Sequence, residues 1–276
     1  MIPNRAREFS CFDGRMELAR HRLFLGASAL LFLTSVAATI YFCQSMSRGM
    51  AMPGCTMSMA WMRMPGQSWP VSAVSFMGMW AAMMVAMMLP ALVPTLLRYR
   101  LSLRGSQAIH LNVLTIFAGA GYFFVWAFLG AFVYPVGVVI AQAGMASAVL
   151  ARSVPIAIGT VLLLAGCAQM TAWKARQLCR CLVAPAFMQT LTEGARSAWG
   201  RGMRLGADCA LCCAGLMAVL LVTGVMNLGS MALVTVAITV ERLSPRPERT
   251  ARAVGLVIIA AALFTIGRAL SAQLSL

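Results

Sequence analysis

The sequence predicts an all-α protein, a polytopic transmembrane helix bundle of about seven spans (six to seven) with its N-terminus inside. Of its 276 residues, 61% are hydrophobic and only 11% are charged, and the mean hydropathy is +0.84. A water-soluble domain of this size cannot hide so much apolar surface in one core. Several uncharged runs also reach the roughly 20 residues that cross about 30 Å of hydrocarbon. Together these observations exclude a soluble globular enzyme.

Seven apolar runs, bounded by charges or by Gly and Pro, are the candidate spans. They lie near residues 22–43, 72–96, 111–140, 154–173, 207–226, 229–241 and 252–271. The third run is long for one crossing and contains Pro135, so we expect it to tilt, to kink or to continue into an interfacial turn. The fifth and sixth runs follow each other closely. They form either a tight hairpin around Asn227 or one interrupted element.

The distribution of Lys and Arg among the loops predicts how the chain is oriented in the membrane. If the N-terminus is inside, eighteen of the 22 Lys and Arg residues fall on the inner side, and four fall outside: Arg48, Arg63, Arg152 and Arg268. Positive charge concentrates on the cytoplasmic side of membrane proteins, so this asymmetry supports seven crossings. Because the charges are dispersed between apolar runs, orientation in lipid explains the net charge of +15, and no nucleic-acid partner is expected.

The same sorting divides the chain into segments. Residues 1–21 form a basic cytoplasmic N-terminal segment, and residues 22–276 form a single transmembrane helical domain. Within that domain lie a Met-rich outer loop, 44–70, and a basic cytoplasmic segment, 174–204. Acidic residues interrupt the N-terminal charges and no small-residue cleavage site follows span one, so span one is predicted to be a retained anchor. The expected location is a bacterial inner membrane, with lipid as partner.

Methionine is the compositional anomaly. Thirteen of the 22 methionines fall between residues 46 and 88, and the outer loop repeats the spacing Met-x-Met three times. A thioether is a soft, neutral donor that suits Cu(I) and binds Mg²⁺, Ca²⁺ or Zn²⁺ weakly. The alternative is that Met serves as plastic apolar filler. Metal contact is the interpretation favoured for the water-exposed loop, whereas both readings stay open inside span two.

Helical geometry groups the methionines of span two into two adjoining stripes. Met79, Met83 and Met87 share the first stripe, and Met84 and Met88 share the second with Met77 and Trp80. Pro90 and Pro94 then remove backbone hydrogen bonds. Unpaired carbonyls in a bilayer must face protein or a wet cavity, so the segment 86–94 is either a kink beside a permeation path or a purely structural bend.

Cysteine supplies the second group of sulfur ligands. The chain has nine cysteines, an odd number that cannot all pair internally: Cys11, Cys43, Cys55, Cys167, Cys179, Cys181, Cys209, Cys212 and Cys213. The last three share one helical turn at the start of span five, and Met217 follows one turn later. Thiols in a reducing cytoplasm bind Cu(I) or Zn²⁺ strongly, although Cys also suits close helix packing. A Cys43–Cys55 disulfide and a mixed Cys–Met site are the alternatives outside.

The remaining polar residues do not assemble an enzyme. The only histidines, His21 and His110, flank spans at the inner side, which argues against a His-based zinc site. Asp208 and Glu241 lie at the inner boundary, where each serves either structurally, as a helix cap or an ion pair with Arg242, or in metal or proton handling. No phosphate loop, paired carboxylates or nucleophile–His–acid set is present. We therefore predict a protein that is not an enzyme.

Several of these motifs occur together. They are Trp80-x-x-Met83-Met84-x-Ala86-Met87-Met88-x-Pro90, Gln169-x-Thr171-x-x-Lys174, Cys209-x-x-Cys212-Cys213, and Gly224-Val-Met226-Asn227 with Glu241-Arg242. Over about residues 72 to 244 the chain thereby resembles a bacterial domain-of-unknown-function family of predicted metal-binding integral membrane proteins. The resemblance implies metal binding. Where the family has His-Gly before its cysteines this chain has Leu205-Gly206, so the expected site contains sulfur ligands only.

The predicted function is Cu(I) binding, delivery or transport. The outer loop would collect the ion and span two would pass it toward the inner cysteines, or the reverse. The predicted metal ligands are Met79, Met83, Met84, Met87, Met88, Cys209, Cys212, Cys213 and Met217. The alternative is a non-catalytic subunit or assembly factor of a larger membrane complex, in which small residues on span three serve close helix packing, namely Gly119, Gly121, Gly130 and Gly137.

Overall fold

The fold is a bundle of α-helices, seen in a computed structural model that describes residues 5–48, 68–102, 108–146, 148–187, 194–225 and 227–274. No β-strand occurs in these ranges, which confirms the predicted all-α class. The helices are α1 Arg5–Arg48, α2 Trp69–Ser102, α3 Ala108–Ala146, α4 Ala148–Gln169, α5 Ala172–Phe187, α6 Ala195–Thr223, α7 Leu228–Leu243 and α8 Pro247–Leu274.

Five of these helices contain segments long and apolar enough to cross a membrane. The segments are Arg22–Ser45, Trp69–Arg100, His110–Gly144, Ala195–Thr223 and Pro247–Ser271. A sixth is added if α4 and α5, bent by 67° at their junction, count as one broken span. The predicted sixth span near 229–241 lies in α7, whose 16 residues rise only about 24 Å, less than the hydrocarbon thickness.

The third predicted span is one unbroken helix. α3 has 39 residues and passes through Pro135 without interruption. In the same way, α2 continues through Pro90 and Pro94. The fourth predicted span differs from expectation, because α4 ends at Gln169 and the chain turns before α5. The sequence assigned Lys174 to a basic cytoplasmic segment, but in the structure its side chain is buried within the helix bundle.

α6 and α7 form a hairpin, which resolves the alternative left open by the sequence. Gly224 ends α6 with a φ of 109°, a conformation that suits a residue without Cβ. Asn227 then caps α7, its side-chain oxygen accepting from the backbone N–H groups of Gly229 and Ser230. Lys174 contacts both Cys212 of α6 and Glu241 of α7. The end of α7 thus returns to the level of Cys212, and the two helices are antiparallel.

α2 is the most buried of the membrane-length helices and packs against α1, α3 and α7. Its indole Trp80 donates a 2.8 Å hydrogen bond to the carbonyl of Trp126 on α3. The same ring lies against Gly130, where an added Cβ would overlap it. Gly130 therefore serves close helix packing, as the sequence suggested, whereas an added Cβ at Gly119 would meet nothing within 4 Å. The pairs α3–α6 and α4–α8 complete the bundle.

Candidate metal centre

The five methionines predicted as ligands in span two point into the protein. Met79, Met83, Met84, Met87 and Met88 all lie on α2, and each side chain is at most 2% exposed. They belong to one hydrophobic core together with the cysteines of α6. From Met79 to Met88 they rise about 13 Å along the helix axis. The five side chains therefore face the interior of the bundle rather than lipid, and we call them the methionine column.

Close packing of α3 against α6 brings the cysteines to this column. Gly202 and Gly206 on α6 lie against the backbone carbonyls of Ala118 and Tyr122 on α3, where an added Cβ would collide. Small residues four apart allow two helix backbones to approach in this way. Gly121 of α3 contributes similarly against the backbone of Trp199. As a result, the side chain that follows on the same face, Cys209, is pressed against Tyr122.

Cys209 is the residue where the two groups of sulfur atoms meet. Its Sγ lies 4.0 Å from Sδ of Met88, and the hydroxyl of Tyr122 lies 2.9 Å from the same Sγ. Cys209 and Met88 are both fully buried. The sequence placed the thioethers and the thiols in separate regions, and the structure joins them at this contact.

Three further thiols lie in the same buried core as Cys209. Their side chains interact in the order Cys209, Cys213, Cys212 and then Cys181 of α5. Cys181 also donates to the carbonyl of Asp208 over 3.1 Å. All of these thiols are buried. We call Met88, Cys181, Cys209, Cys212 and Cys213 the sulfur cluster.

A buried ion pair holds the helices around the sulfur cluster. Lys174 of α5 lies 2.8 Å from a carboxylate oxygen of Glu241 on α7 and donates to the carbonyl of Cys212 over 2.7 Å. Gln169, at the end of α4, donates to the other carboxylate oxygen over 2.7 Å. Four helices are thereby tied together beside the thiols. Glu241 pairs with Lys174 and not with Arg242, which corrects one alternative from the sequence.

Arg242 places a second positive charge beside the thiols. Its guanidinium donates to Sγ of Cys181 over 3.6 Å. The groups that interact with it electrostatically are Cys209, Cys213, Tyr122 and Cys181. Among the described residues, Arg242 has no carboxylate partner. The cluster is therefore a set of ionisable thiols beside a cation that has no carboxylate partner among the described residues.

Most of the residues predicted as ligands share this core, but only some touch one another. Met88, Cys209, Cys212 and Cys213 come together, and Met217 lies in the same core. The other four methionines of α2 approach the cluster along the column. Cys179 is exposed, and Cys43 is buried on α1. Cys55 and the Met-x-Met repeats of the outer loop lie outside the described residues.

The described part of the chain contains no group of three or more His, Cys, Asp or Glu side chains arranged to hold a metal ion. Methionine is not among those residue types, and Cu(I) accepts few ligands and prefers soft sulfur. Metal–sulfur bonds of about 2.3 Å allow two sulfur atoms 4.0 Å apart to share one ion. The donor set thus fits a soft monovalent ion better than zinc.

Tyr122, Cys181 and Arg242 were not among the predicted ligands. Cys181 carried a signal, since Cys179-x-Cys181 stands on the same side as the α6 cysteines, but spacing alone could not choose between its two thiols. Tyr122 depends on the α3–α6 contact and had no such signal. Asp208 was considered as a helix cap, but α6 begins at Ala195, so Asp208 lies within the helix and contributes its carbonyl.

Comparison with known proteins agrees with this donor set. No curated protein and no solved structure matches the chain. A family model described as PpoB2, copper chaperone, matches residues 77–265, a range that contains the methionine column, the sulfur cluster, Lys174 and Arg242. Because the match covers more than half of the sequence, the chain belongs to this copper chaperone family.

Proposed function

We propose that this protein is an integral membrane protein that binds Cu(I) in the sulfur cluster and passes it along the methionine column of α2. The observation that carries the proposal is the contact between Cys209 and Met88, 4.0 Å apart and fully buried. It joins a thiol and a thioether inside a chain of a copper chaperone family. Both atom types favour Cu(I) over harder cations.

The bound ion would use Cys209 and Cys213 as thiolates and Met88 as a neutral third donor. Each of the two thiols that is protonated releases its proton when Cu(I) binds, and the oxidation state of copper and sulfur does not change. Cys212 and Cys181 stand next in line and would receive the ion by ligand exchange. In this proposal copper is cargo, and the protein is not an enzyme.

The methionine column supports a path between the outer loop and the sulfur cluster. If the N-terminus is cytoplasmic, α2 runs from outside to inside, and Met79 lies nearer the outer loop than Met88. Copper collected by the Met-x-Met repeats would then reach the thiols from outside, or leave in reverse. The proposed location is a bacterial inner membrane, with α7 as a short seventh crossing. Reporter fusions after Leu276 test this orientation, because an active periplasmic reporter is expected there.

The function is tested on the full chain, purified anaerobically in detergent after growth with copper. Bound copper is measured by mass spectrometry of the metal, in the unaltered protein and in Cys209→Ser, Cys212→Ser and Cys213→Ser. We expect the Cys209 and Cys213 variants to lose most of the bound copper. Cys167→Ser is the matched control, because Cys167 is an exposed thiol on α4.

The same experiment distinguishes the proposed copper site from the alternative role as a scaffold or assembly subunit. Copper content unchanged by the Cys209 and Cys213 substitutions would remove the proposed site. A metal-free protein that purifies with a stable membrane partner would instead favour a scaffold or assembly subunit. The same preparation, analysed by native mass spectrometry, reports both quantities.

A further inference from the structure

Arg242 is an ionised group beside the sulfur cluster that ligand chemistry alone does not require. Its guanidinium touches Cys181 and interacts electrostatically with Cys209 and Cys213, both at most 2% exposed. The fully buried cation nearby, Lys174, is already neutralised by Glu241 at 2.8 Å, whereas Arg242, itself partly buried, has no carboxylate partner among the described residues. Asp208, adjacent to Cys209 in sequence, is only partly buried. The cluster therefore contains one positive charge in excess when its thiols are protonated.

Charge in a buried site is costly unless it is balanced. Two thiolates, one Cu(I) ion and the Arg242 guanidinium together have no net charge. A divalent ion on the same two thiolates leaves one positive charge unbalanced, and it reaches balance only if a further thiol loses its proton. Without the guanidinium, the divalent ion is the one whose charge two thiolates balance, and Cu(I) on the same two thiolates leaves one negative charge unbalanced.

We propose that Arg242 makes the sulfur cluster selective for a monovalent soft cation over a divalent one. This proposal rests on the proposed copper site. The residue acts by charge and not as a ligand, since an Arg guanidinium has no free lone pair to donate. Cys181 holds it in place through the 3.6 Å contact to its Sγ. Selectivity in this site therefore has two sources, the softness of sulfur and the charge of one neighbouring side chain.

The test measures the affinities for Cu(I) and for Zn²⁺ separately on the full chain in detergent, by competition with a chelator for each ion. In Arg242→Gln and Arg242→Met, we expect the ratio of Cu(I) to Zn²⁺ affinity to fall by at least about tenfold, as expected for removing one nearby charge in a buried site. Arg242→Lys, which keeps the charge, should retain most of the ratio. Arg246→Gln removes the same charge from an exposed position and should leave the ratio unchanged.

An unchanged affinity ratio in a folded neutral variant would overturn the inference while the copper site stands. If the unaltered protein binds no Cu(I), the proposed function itself is wrong, and the inference fails with it.

Discussion

The hydroxyl of Tyr122 lies 2.9 Å from Sγ of Cys209, deep in the bundle and fully buried. The contact exists because glycines on α6 let that helix approach the backbone of α3. Either group can donate this hydrogen bond while Cys209 is a thiol, and only the phenol can donate it once Cys209 binds a metal as a thiolate. The helix contact thereby prepares the ligand that touches Met88.

Replacing Tyr122 with Phe removes this hydrogen bond while keeping the ring in the core. We expect Cu(I) affinity to fall about fivefold, corresponding to roughly 1 kcal/mol for one hydrogen bond. Competition with a Cu(I) chelator measures the change. Tyr134→Phe also removes a phenol, one that donates to Ser72 on α2, and it should leave the affinity unaltered. An equal loss in both variants would show that the Tyr122 hydroxyl does not act on Cys209.

The Met88→Leu variant separates packing from ligation. Leu has nearly the same volume as Met, so we expect a stability change below about 1.5 kcal/mol. The thioether is lost, and Cu(I) affinity should fall severalfold or more. Met79→Leu is the control on the same helix, because it lies about 13 Å from Met88 along the axis. It should leave affinity at the thiols intact and slow only the transfer of copper along α2. Equal affinities in the two variants would contradict a role for Met88 as ligand.

Adding a methyl group at Gly202 should disturb the fold, since a Cβ there collides with the carbonyl of Ala118. We expect Gly202→Ala to lower the free energy of unfolding by about 1–3 kcal/mol, the range for overpacking. Gly200→Ala has nothing within 4 Å of the new Cβ and should be neutral or stabilising, because Ala favours helix. Thermal unfolding in detergent, followed by circular dichroism, compares the two. A Gly202→Ala variant as stable as Gly200→Ala would contradict the close α3–α6 approach.

Glu241→Gln leaves Lys174 as an unpaired charge in the interior. Breaking a buried pair by removing one partner costs about 3–5 kcal/mol, so we expect a large drop in unfolding temperature. Glu248→Gln, at an exposed position in the first turn of α8, is the matched control and should change little. The double variant Lys174→Met with Glu241→Gln should recover much of the lost unfolding temperature, because it leaves no unpaired charge. Failure of the double variant to recover would indicate that Lys174 acts mainly through the carbonyl of Cys212.

The sequence predicted the helical class and most of the apolar helices. Apolar run length and charge are local properties, and they sufficed for α2, α3 and α8. The break at Gln169 was missed because residues 154–173 read as one apolar run. It follows from a tertiary contact, since Gln169 donates to Glu241 and Lys174 folds inward to pair with the same carboxylate.

Sequence reasoning named Met and Cys residues but could not show how they come together. Helical periodicity placed Cys209, Cys212 and Cys213 on one turn, and α6 runs unbroken through all three. Periodicity could not join Cys209 to Met88, which lies 121 residues earlier in the chain. That contact, like the one to Tyr122, depends on how three helices cross. Arg242 was counted with the inner-loop charges, because a side chain that turns back into the bundle has the same sequence signal as one that faces water.

The glycine contacts between α3 and α6 have a consequence for the movement of the ion. Two helices whose backbones interlock at glycines cannot slide past each other without a clash, so α6 holds its thiols at fixed positions. Across from it, methionine side chains rotate about several single bonds without displacing their helix. Transfer from one sulfur to the next would therefore proceed by the swing of a thioether, with the backbone at rest.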